Sequence, residues 1–222
     1  MKERKKGVIV LDRLKLRNVH PALLARFYFK ITGDLTGTAD ANSSHVDAFI
    51  KMLRGLRPNA GFHARDVWIT REYDNIIFSN SARRTARCFS SRLIVPGVIE
   101  VSGIGAIFTA SLLNAFPDFS VKDPATAYFD YDEILSKTEG EGLSVRPMRH
   151  GDRIVPLGMR GHKKIKEIFI EEKIPLTRRS AVPLLVSGDT VLWVAGIKHS
   201  DIYKVKKTTK RILKVEFTKA AF

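Results

Sequence analysis

Apolar residues recur at helical spacing in two stretches near the start of the chain. Residues 21–31 begin with Pro21, which suits the first turn of a helix, and residues 44–53 begin with Ser44, which can cap one. Both stripes are one-sided, as in helices that bury a single face. We therefore predict two amphipathic helices whose apolar faces form a core, contributed by Leu23, Leu24, Phe27, Tyr28, Ile31, Val46, Phe49, Ile50 and Leu53.

Short apolar runs bounded by turn residues predict strands in the rest of the chain. Residues 8–11 read as extended, and residues 67–69 and 76–78 flank Asp74-Asn75 as a hairpin. A basic link at 81–92 follows, after which Gly and Pro separate further runs. The later predicted strands are 93–95, 98–101, 106–113, 127–131, 184–186, 191–194 and 212–217, with a surface loop at 136–142.

The change of pattern inside the basic link predicts a domain boundary there. Residues 1–88 are predicted to form a small helical domain with a hairpin. Residues 89–222 are predicted to form a mixed α/β, sandwich-like C-terminal domain. The predicted fold class of the chain is therefore α+β.

The region 146–196 combines a basic half with an apolar, strand-like half. Gly151, Gly158 and Gly161 mark positions where the backbone must turn. After Gly161 an amphipathic helix is predicted, with Ile165, Ile168 and Phe169 on its apolar face and the lysines around them in water, and Pro175 ends it.

Charge adds the main functional signal. The 222 residues carry a formal net charge of +15, and the excess lies in clusters at 2–6, 83–92, 146–179 and 198–219. Clustered Lys and Arg indicate a polyanion partner, while a merely solvated basic surface is the alternative. Arg binds phosphate through bidentate donors and Lys as a mobile charge. Because aromatic residues are sparse in the basic region, we expect recognition of RNA shape and backbone rather than base stacking.

Cysteine and hydropathy narrow the class of protein. Cys88 is the single cysteine, which excludes an intrachain disulfide and a multi-cysteine zinc site and fits a reducing, cytoplasmic setting. No apolar run approaches the roughly 18 residues of a membrane span. We therefore expect a soluble protein with no membrane partner.

Candidate catalytic motifs are weak. The turn SGIGAIF at 102–108 lacks a dinucleotide fingerprint, and GMRGHKK at 158–164 lacks the spacing of a phosphate loop. Asp130 and Asp132 would share a strand face, but solvated acids or a salt bridge are the favoured interpretation, and Asp152 is expected to orient arginines. The histidines have no metal-ligand spacing. The sequence thus predicts no catalytic residue, no metal site and no cofactor in this chain.

A family resemblance appears in this basic region. RPMRHGDRIVPLGMRGHKKIKEIFIEEKIP, followed by RRSAVPLLV and LWVAG, resembles the C-terminal domain of the tRNA(Ile)-lysidine synthase family. Upstream, LDRLKLRNVHPALLARF, AFIKMLRGLRP and WITREYDNIIF resemble the helical middle domain of that family. The serine-glycine-glycine-x-aspartate-serine loop of its N-terminal ATP-pyrophosphatase domain does not occur in this sequence.

The resemblance implies a function and a set of partners. Family members use ATP to activate C2 of the wobble cytidine of tRNA(Ile) and attach lysine there, and their C-terminal fold resembles a domain of the phenylalanyl-tRNA synthetase β chain. The chain would be the tRNA-binding portion, inactive without the ATP-pyrophosphatase domain, which would use ATP and Mg²⁺ and sit in the same protein or a separate chain. A homodimer is left open. The alternative is a stand-alone, non-catalytic RNA-binding or regulatory module of the same fold.

Motif position also implies residue roles. The RNA backbone would be contacted by Arg146, Arg149, Arg153, Arg160, Lys163, Lys164, Lys166, Arg178 and Arg179. The loops that carry these residues would be shaped by Gly151, Pro156, Gly158, Gly161 and Pro183.

Overall fold

The computed structural model describes residues 3–5, 7–38, 42–80, 89–119, 123–138 and 141–219. The chain divides into two compact units, Met1–Arg84 and Thr85–Phe222. The predicted boundary lies at 88/89. Cys88 and most of the basic link lie outside the described residues. Within the described ranges, no helix has the length and apolar character needed to cross a membrane.

The first unit is a five-stranded antiparallel sheet with helices. Its sheet order is β1-β2-β5-β4-β3. The predicted first helix starts at Pro21 and extends beyond the apolar stripe to Thr36, where Gly37 ends it with φ 78°. The strands are β1 (Glu3–Lys5), β2 (Val8–Asp12), β3 (Asn59–Ala64), β4 (Val67–Glu72) and β5 (Asn75–Ser79), and the helices are α1 (Arg13–Leu16), α2 (Pro21–Thr36) and α3 (Ser43–Arg54).

The core of this unit lies between one sheet face and the helices α2 and α3. Tyr28 of α2 and Phe49 of α3 pack against Phe78 of β5, with ring centroids 5.6–6.2 Å apart for the contacts to Phe78. The cap of α3 differs from the sequence prediction, because the side chain of Asn42 rather than Ser44 accepts the Ser44 backbone N–H at 3.0 Å. Helices α2 and α3 and the hairpin of β4 and β5 were predicted, whereas α1, β1 and β3 were not. Two predicted core residues are corrected, because Leu23 and Phe27 are 50% and 45% exposed.

The second unit contains two larger antiparallel sheets and a two-stranded ribbon. The sheet orders are β15-β14-β13-β10-β6 and β7-β8-β16-β9, and β11 pairs with β12. The strands are β6 (Ser91–Leu93), β7 (Gly97–Val101), β8 (Ala106–Leu113), β9 (Thr126–Asp130), β10 (Leu143–Arg146), β11 (Arg153–Ile154), β12 (Lys163–Lys164), β13 (Leu184–Ser187), β14 (Thr190–Val194), β15 (Lys198–His199) and β16 (Ile212–Lys219). The helices are α4 (Tyr131–Lys137), α5 (Ile165–Glu171) and α6 (Leu176–Arg179).

The two larger sheets share one core, which makes the unit sandwich-like. Phe108 of β8 packs edge-on against Trp193 of β14, with ring centroids 6.3 Å apart. The other face of β13 and β14 is covered too, because Val186 and Val191 join Ile168 of α5 in a second core. Strands buried on both faces read as continuous apolar runs rather than alternating ones, as these two do. The predicted α+β class is confirmed.

Helix α4 replaces part of a predicted loop and strand. A loop was predicted at 136–142, and Asp130 and Asp132 were expected to share a strand face. Instead, Asp130 ends β9 and caps α4, since its Oδ1 accepts the Glu133 N–H at 2.9 Å. Its Oδ2 also accepts the Thr209 hydroxyl at 2.5 Å, while Asp132 forms a salt bridge with Arg211. The two carboxylates are structural groups. Solvated acids or a salt bridge were the favoured interpretation, and the salt bridge is found for Asp132, whereas Asp130 is buried.

Candidate nucleic-acid interface

A buried ion pair organises the loop that follows β10. Arg146 donates from both terminal guanidinium nitrogens to the Asp152 carboxylate, at 2.7 and 3.0 Å. Asp152 Oδ2 also accepts the Arg149 backbone N–H at 2.7 Å, and the two paired side chains are 4% and 10% exposed. A bidentate pair of this kind fixes geometry as well as charge. The loop 147–151 is therefore held closed from its base.

The ribbon β11–β12 continues from this loop. Arg153 pairs in register with Lys164, and Ile154 pairs with Lys163. Arg153 and Lys164 are exposed, so two cations stand directly opposite each other across the ribbon. Like charges in that position are destabilising. A phosphate between or beside them would relieve the repulsion.

The turn that joins the ribbon strands runs from 155 to 162. Gly158 and Gly161 adopt φ 76° and 100°, which a residue with a Cβ rarely tolerates. The Gly158 N–H donates to Asp201 Oδ1 at 3.0 Å. That bond lowers the pKa of the Asp201 carboxyl, with Lys204 as the second cause. The turn thus has a fixed base, and Arg160 lies exposed within it.

The remaining predicted loop-shaping residues have structural positions as well. Gly151 has φ 92°. Pro156 is buried and forms a bridge with Ser200. The buried Pro183 offers its carbonyl to the Ala195 N–H at 3.1 Å. All of them fix the backbone around the basic segment, although no RNA role follows from this alone.

Helices α5 and α6 present the last basic residues. The predicted helix begins at Ile165 and not earlier, because Lys163 and Lys164 belong to the ribbon. Lys166 points away from the buried Ile165, Ile168 and Phe169 and is exposed.

The nine predicted contacts fall into three groups. Arg146 has its guanidinium buried against the Asp152 carboxylate, although it also lines the cleft described below, and its predicted RNA contact stays a prediction. Lys163 donates to Glu171 Oε2 at 2.6 Å and Arg179 donates to the Ile174 carbonyl at 2.9 Å, so each has a protein partner. The exposed predicted contacts are Arg149, Arg153, Arg160, Lys164, Lys166 and Arg178.

The structure brings part of this set together around a cleft of about 490 Å³. Arg149 and Arg153 line it together with His150 and His162, while Asp189 and Thr190 form part of its wall. The two histidines were not predicted as ligand-facing, although their position inside the basic motif was a signal that could have marked them. Arg160, Lys166, Arg178 and Arg179 do not line this cleft.

The geometry does not fit an ATP phosphate site at Gly158. The turn connects two antiparallel ribbon strands, whereas phosphate loops lead from a strand directly to the N-terminus of a long helix. In the segment SGIGAIF, residues 102–105 form the turn between β7 and β8, as predicted, and residues 106–108 begin β8. We assign no residue of this chain to ATP or Mg²⁺.

Comparison with known proteins identifies the relatives of this fold. Residues 143–216 match the family described as "TilS substrate C-terminal domain". The tRNA(Ile)-lysidine synthase of Dehalococcoides mccartyi is 42% identical over 222 residues, which is 96% of this chain and 45% of that protein. The tRNA(Ile)-lysidine synthase of Caldanaerobacter subterraneus subsp. tengcongensis is 33% identical over 95% of this chain and 44% of that protein.

Solved structures agree in fold. The crystal structure of a TilS C-terminal domain covers 61% of this chain and all of its own, with TM-score 0.54 and 27% identity. An N-terminal fragment of the phenylalanyl-tRNA synthetase β subunit from Pyrococcus horikoshii reaches only TM-score 0.38 at 14% identity, which supports no conclusion here. This chain spans less than half the length of the curated relatives it matches. Over nearly its whole length it is similar to part of the tRNA(Ile)-lysidine synthases, and within that length residues 143–216 match the TilS substrate C-terminal domain.

Proposed function

We propose that this chain is the tRNA-binding portion of a tRNA(Ile)-lysidine synthase. In that reaction lysine is attached to C2 of the wobble cytidine of tRNA(Ile) with the use of ATP. The observation that carries the proposal is the row of exposed cations on a braced loop, ribbon and helix, inside the residues that match the TilS substrate C-terminal domain. This function would place the chain in the cytoplasm.

The arrangement suits backbone recognition. Arg149 and Arg153 can each offer a planar pair of N–H donors to phosphate, and Lys164 and Lys166 offer mobile charges nearby. Such contacts position RNA without reading its sequence. The bracing by Asp152 matters because a preorganised cation loses less conformational entropy on binding than a free side chain does.

Salt dependence of tRNA binding tests the surface. If Arg153, Lys164 and Lys166 contact phosphates, changing all three to Ala should lower the slope of log affinity against log salt by about two to three units. A matched control removes the same charge from exposed lysines elsewhere in the unit: Lys137→Ala, Lys207→Ala and Lys210→Ala. An equal loss of slope in both triple variants would refute the assignment of the surface, and no tRNA affinity at moderate salt would indicate a purely structural domain.

A second experiment tests whether this chain is inactive without a catalytic domain. We propose that the chemistry belongs to an ATP-pyrophosphatase domain that uses ATP and Mg²⁺. Incubating this chain alone with tRNA(Ile), ATP, Mg²⁺ and lysine should therefore give no lysidine by nucleoside mass spectrometry. Formation of lysidine would overturn the inactive-alone part of the proposal.

The stand-alone RNA-binding module remains the alternative function. Translation of the DNA upstream of Met1 distinguishes the two. An in-frame or adjacent ATP-pyrophosphatase domain supports the synthase portion, and an unrelated neighbourhood supports the independent module. Sedimentation of the chain with and without tRNA would test the homodimer that the resemblance left open.

A further inference from the structure

A second cleft lies beside the basic turn in the same unit. Its volume is about 760 Å³, and Leu157 of the turn lines it. The Leu157 N–H donates to the His199 carbonyl at 2.9 Å, which ties the turn to the cleft wall. RNA held on the exposed cations of the turn would therefore pass the mouth of this cleft.

One wall of the cleft is aromatic. Phe119 and Tyr128 have ring centroids 5.4 Å apart and an interplanar angle of 85°. Tyr128 is half-buried and lies on the opposite face of β9 from Ala127 and Phe129, which belong to the core. Phe119 is 47% exposed. Exposed aromatic rings at a concave site offer a flat partner a stacking surface.

The rim of the cleft is basic. Lys198, Lys204 and Lys214 all line it, and Lys214 stands directly opposite Tyr128 in the strand register. Lys204 and Lys214 have carboxylate partners, Asp201 at 3.0 Å and Glu216 at 2.8 Å. Within the described ranges, Lys198 has no carboxylate within 4.0 Å. Its charge is therefore the one on the rim that is most available to an anion.

The polar groups of the cleft suit a base edge. Asp123 accepts hydrogen bonds from the Ala125 N–H at 2.9 Å and the Thr126 hydroxyl at 2.7 Å, so its carboxylate is engaged in its own turn. Burial lowers the pKa of His199, against the raising effect of Asp123. The imidazole is therefore neutral at neutral pH and has one donor and one acceptor nitrogen.

We propose that this cleft holds one unpaired nucleotide of the bound RNA, with its base against Phe119 and Tyr128 and its phosphate at Lys198. The inference rests on the proposed RNA-binding function and adds base contact to it. Backbone and shape were the expected mode of recognition, because the aromatic residues that line the cleft lie outside the basic motif in sequence.

Two hairpin RNAs with the same stem test the proposal. One is blunt and the other carries a short unpaired 3′ extension, and affinities are measured by fluorescence anisotropy at fixed salt. The extended hairpin should bind about tenfold more tightly, as expected for one stacked base. Phe119→Ala and Lys198→Ala should each remove most of that preference and leave the blunt hairpin's affinity unchanged.

Matched controls come from the same unit. Phe116 is 54% exposed and does not line the cleft, and Lys207 is exposed outside it. Phe116→Ala and Lys207→Ala should keep the preference for the extended hairpin. Thermal unfolding of each variant establishes that the fold is intact.

The outcomes separate this inference from the function on which it rests. Equal binding of both hairpins by the unchanged protein overturns the nucleotide site while RNA binding stands. A preference that survives both Phe119→Ala and Lys198→Ala places the unpaired nucleotide elsewhere and also overturns it. Heparin is a polyanion without bases. If the variants lose heparin binding and RNA binding equally, the cleft supplies charge but no base contact, and the nucleotide site is overturned. If neither hairpin binds at moderate salt, the proposed function itself fails.

Discussion

Among the described residues, each unit buries one arginine, and the two guanidinium groups bind different kinds of partner. Arg71 in the first unit is 5% exposed and donates to three backbone carbonyls: those of Met52 at 3.0 Å, Gly55 at 2.5 Å and Tyr73 at 3.1 Å. Arg146 in the second unit is 3% exposed and binds the Asp152 carboxylate. The first is bound by neutral dipoles, the second by a full charge.

The difference shows what each arginine stabilises. Two of the carbonyls around Arg71 belong to the C-terminal end of α3, where a cation completes unsatisfied acceptors and favours the helix dipole. Arg71 therefore joins a helix to the sheet. Arg146 and Asp152 close a loop whose exposed cations face solvent. A cation counted in the sequence is thus a surface charge in some positions and a structural bond in others.

The largest expected effect comes from breaking the charged pair. Asp152→Asn keeps the shape but leaves the Arg146 charge buried without its counter-ion, which should cost about 3–5 kcal/mol of unfolding free energy. Urea denaturation of the second unit measures it. Asp189→Asn, an exposed acid on the same cleft, serves as the control and should cost under about 0.5 kcal/mol. A similarly small loss for Asp152→Asn would show that the pair does not brace the loop.

Removing the other buried arginine should cost less. Arg71→Met leaves no formal charge behind but deprives buried carbonyls of their donor, for an expected loss of about 2–3 kcal/mol. Arg57→Met, at an exposed position of the same unit, is the matched control. If Arg71→Met proved more damaging than Asp152→Asn, the ranking of neutral and charged partners would be reversed.

A smaller effect of opposite sign is expected on the ribbon. Arg153→Thr removes the repulsion with Lys164 and should raise stability by about 0.2–1 kcal/mol. The same change should weaken tRNA binding, because an exposed phosphate contact is lost. Thermal unfolding measures the change in stability, and fluorescence anisotropy of labelled tRNA measures the change in affinity. A ribbon destabilised by the change would mean that Arg153 has a structural role.

The smallest expected effect is pH-dependent. The folded pKa of His199 lies below the ordinary value of 6.5 because burial disfavours the imidazolium. The unfolded chain then binds more protons below about pH 6.5, so the stability contributed by neutral His199 is present above that pH and is lost as pH falls. His199→Gln should flatten the fall in melting temperature between neutral and mildly acidic pH. An unchanged pH profile would show that His199 titrates normally.

Local patterns in the sequence predicted much of the fold. Pro21 and the stripe after it predicted α2, and the apolar spacing of Ile165, Ile168 and Phe169 predicted α5. The helices themselves were predicted because apolar residues recur at helical spacing on a buried face. The stripe was too wide in α2, where Leu23 and Phe27 are exposed while Leu24, Tyr28 and Ile31 are buried. Strand β3 was missed because its sequence, NAGFHA, has few β-formers and gains its pairing from β4. Helix α4 was missed because an aspartate at a strand end can equally be a cap.

The candidate site, like the fold, was predicted only in part. The basic motif and its glycines were visible in the sequence, but Arg146 differs from Arg149 only in what surrounds it after folding. The second cleft joins the separate segments around Phe119, Tyr128, Leu157 and Lys198, and no spacing in the sequence signals that meeting.

The sequence by itself determined the fold class, the basic character and the resemblance of residues 143–216 to a known domain family, because composition, periodicity and motif spacing are local properties. Tertiary structure alone decided which cations are free, since exposure depends on contacts between distant segments. It buried Arg71 and Arg146 against internal partners and left Arg153 and Lys164 facing each other. It also placed an aromatic cleft beside Leu157, in the turn that joins the two ribbon strands. The physical reason is solvation. An arginine side chain in water can bind phosphate, whereas a buried guanidinium needs hydrogen-bond partners within the protein.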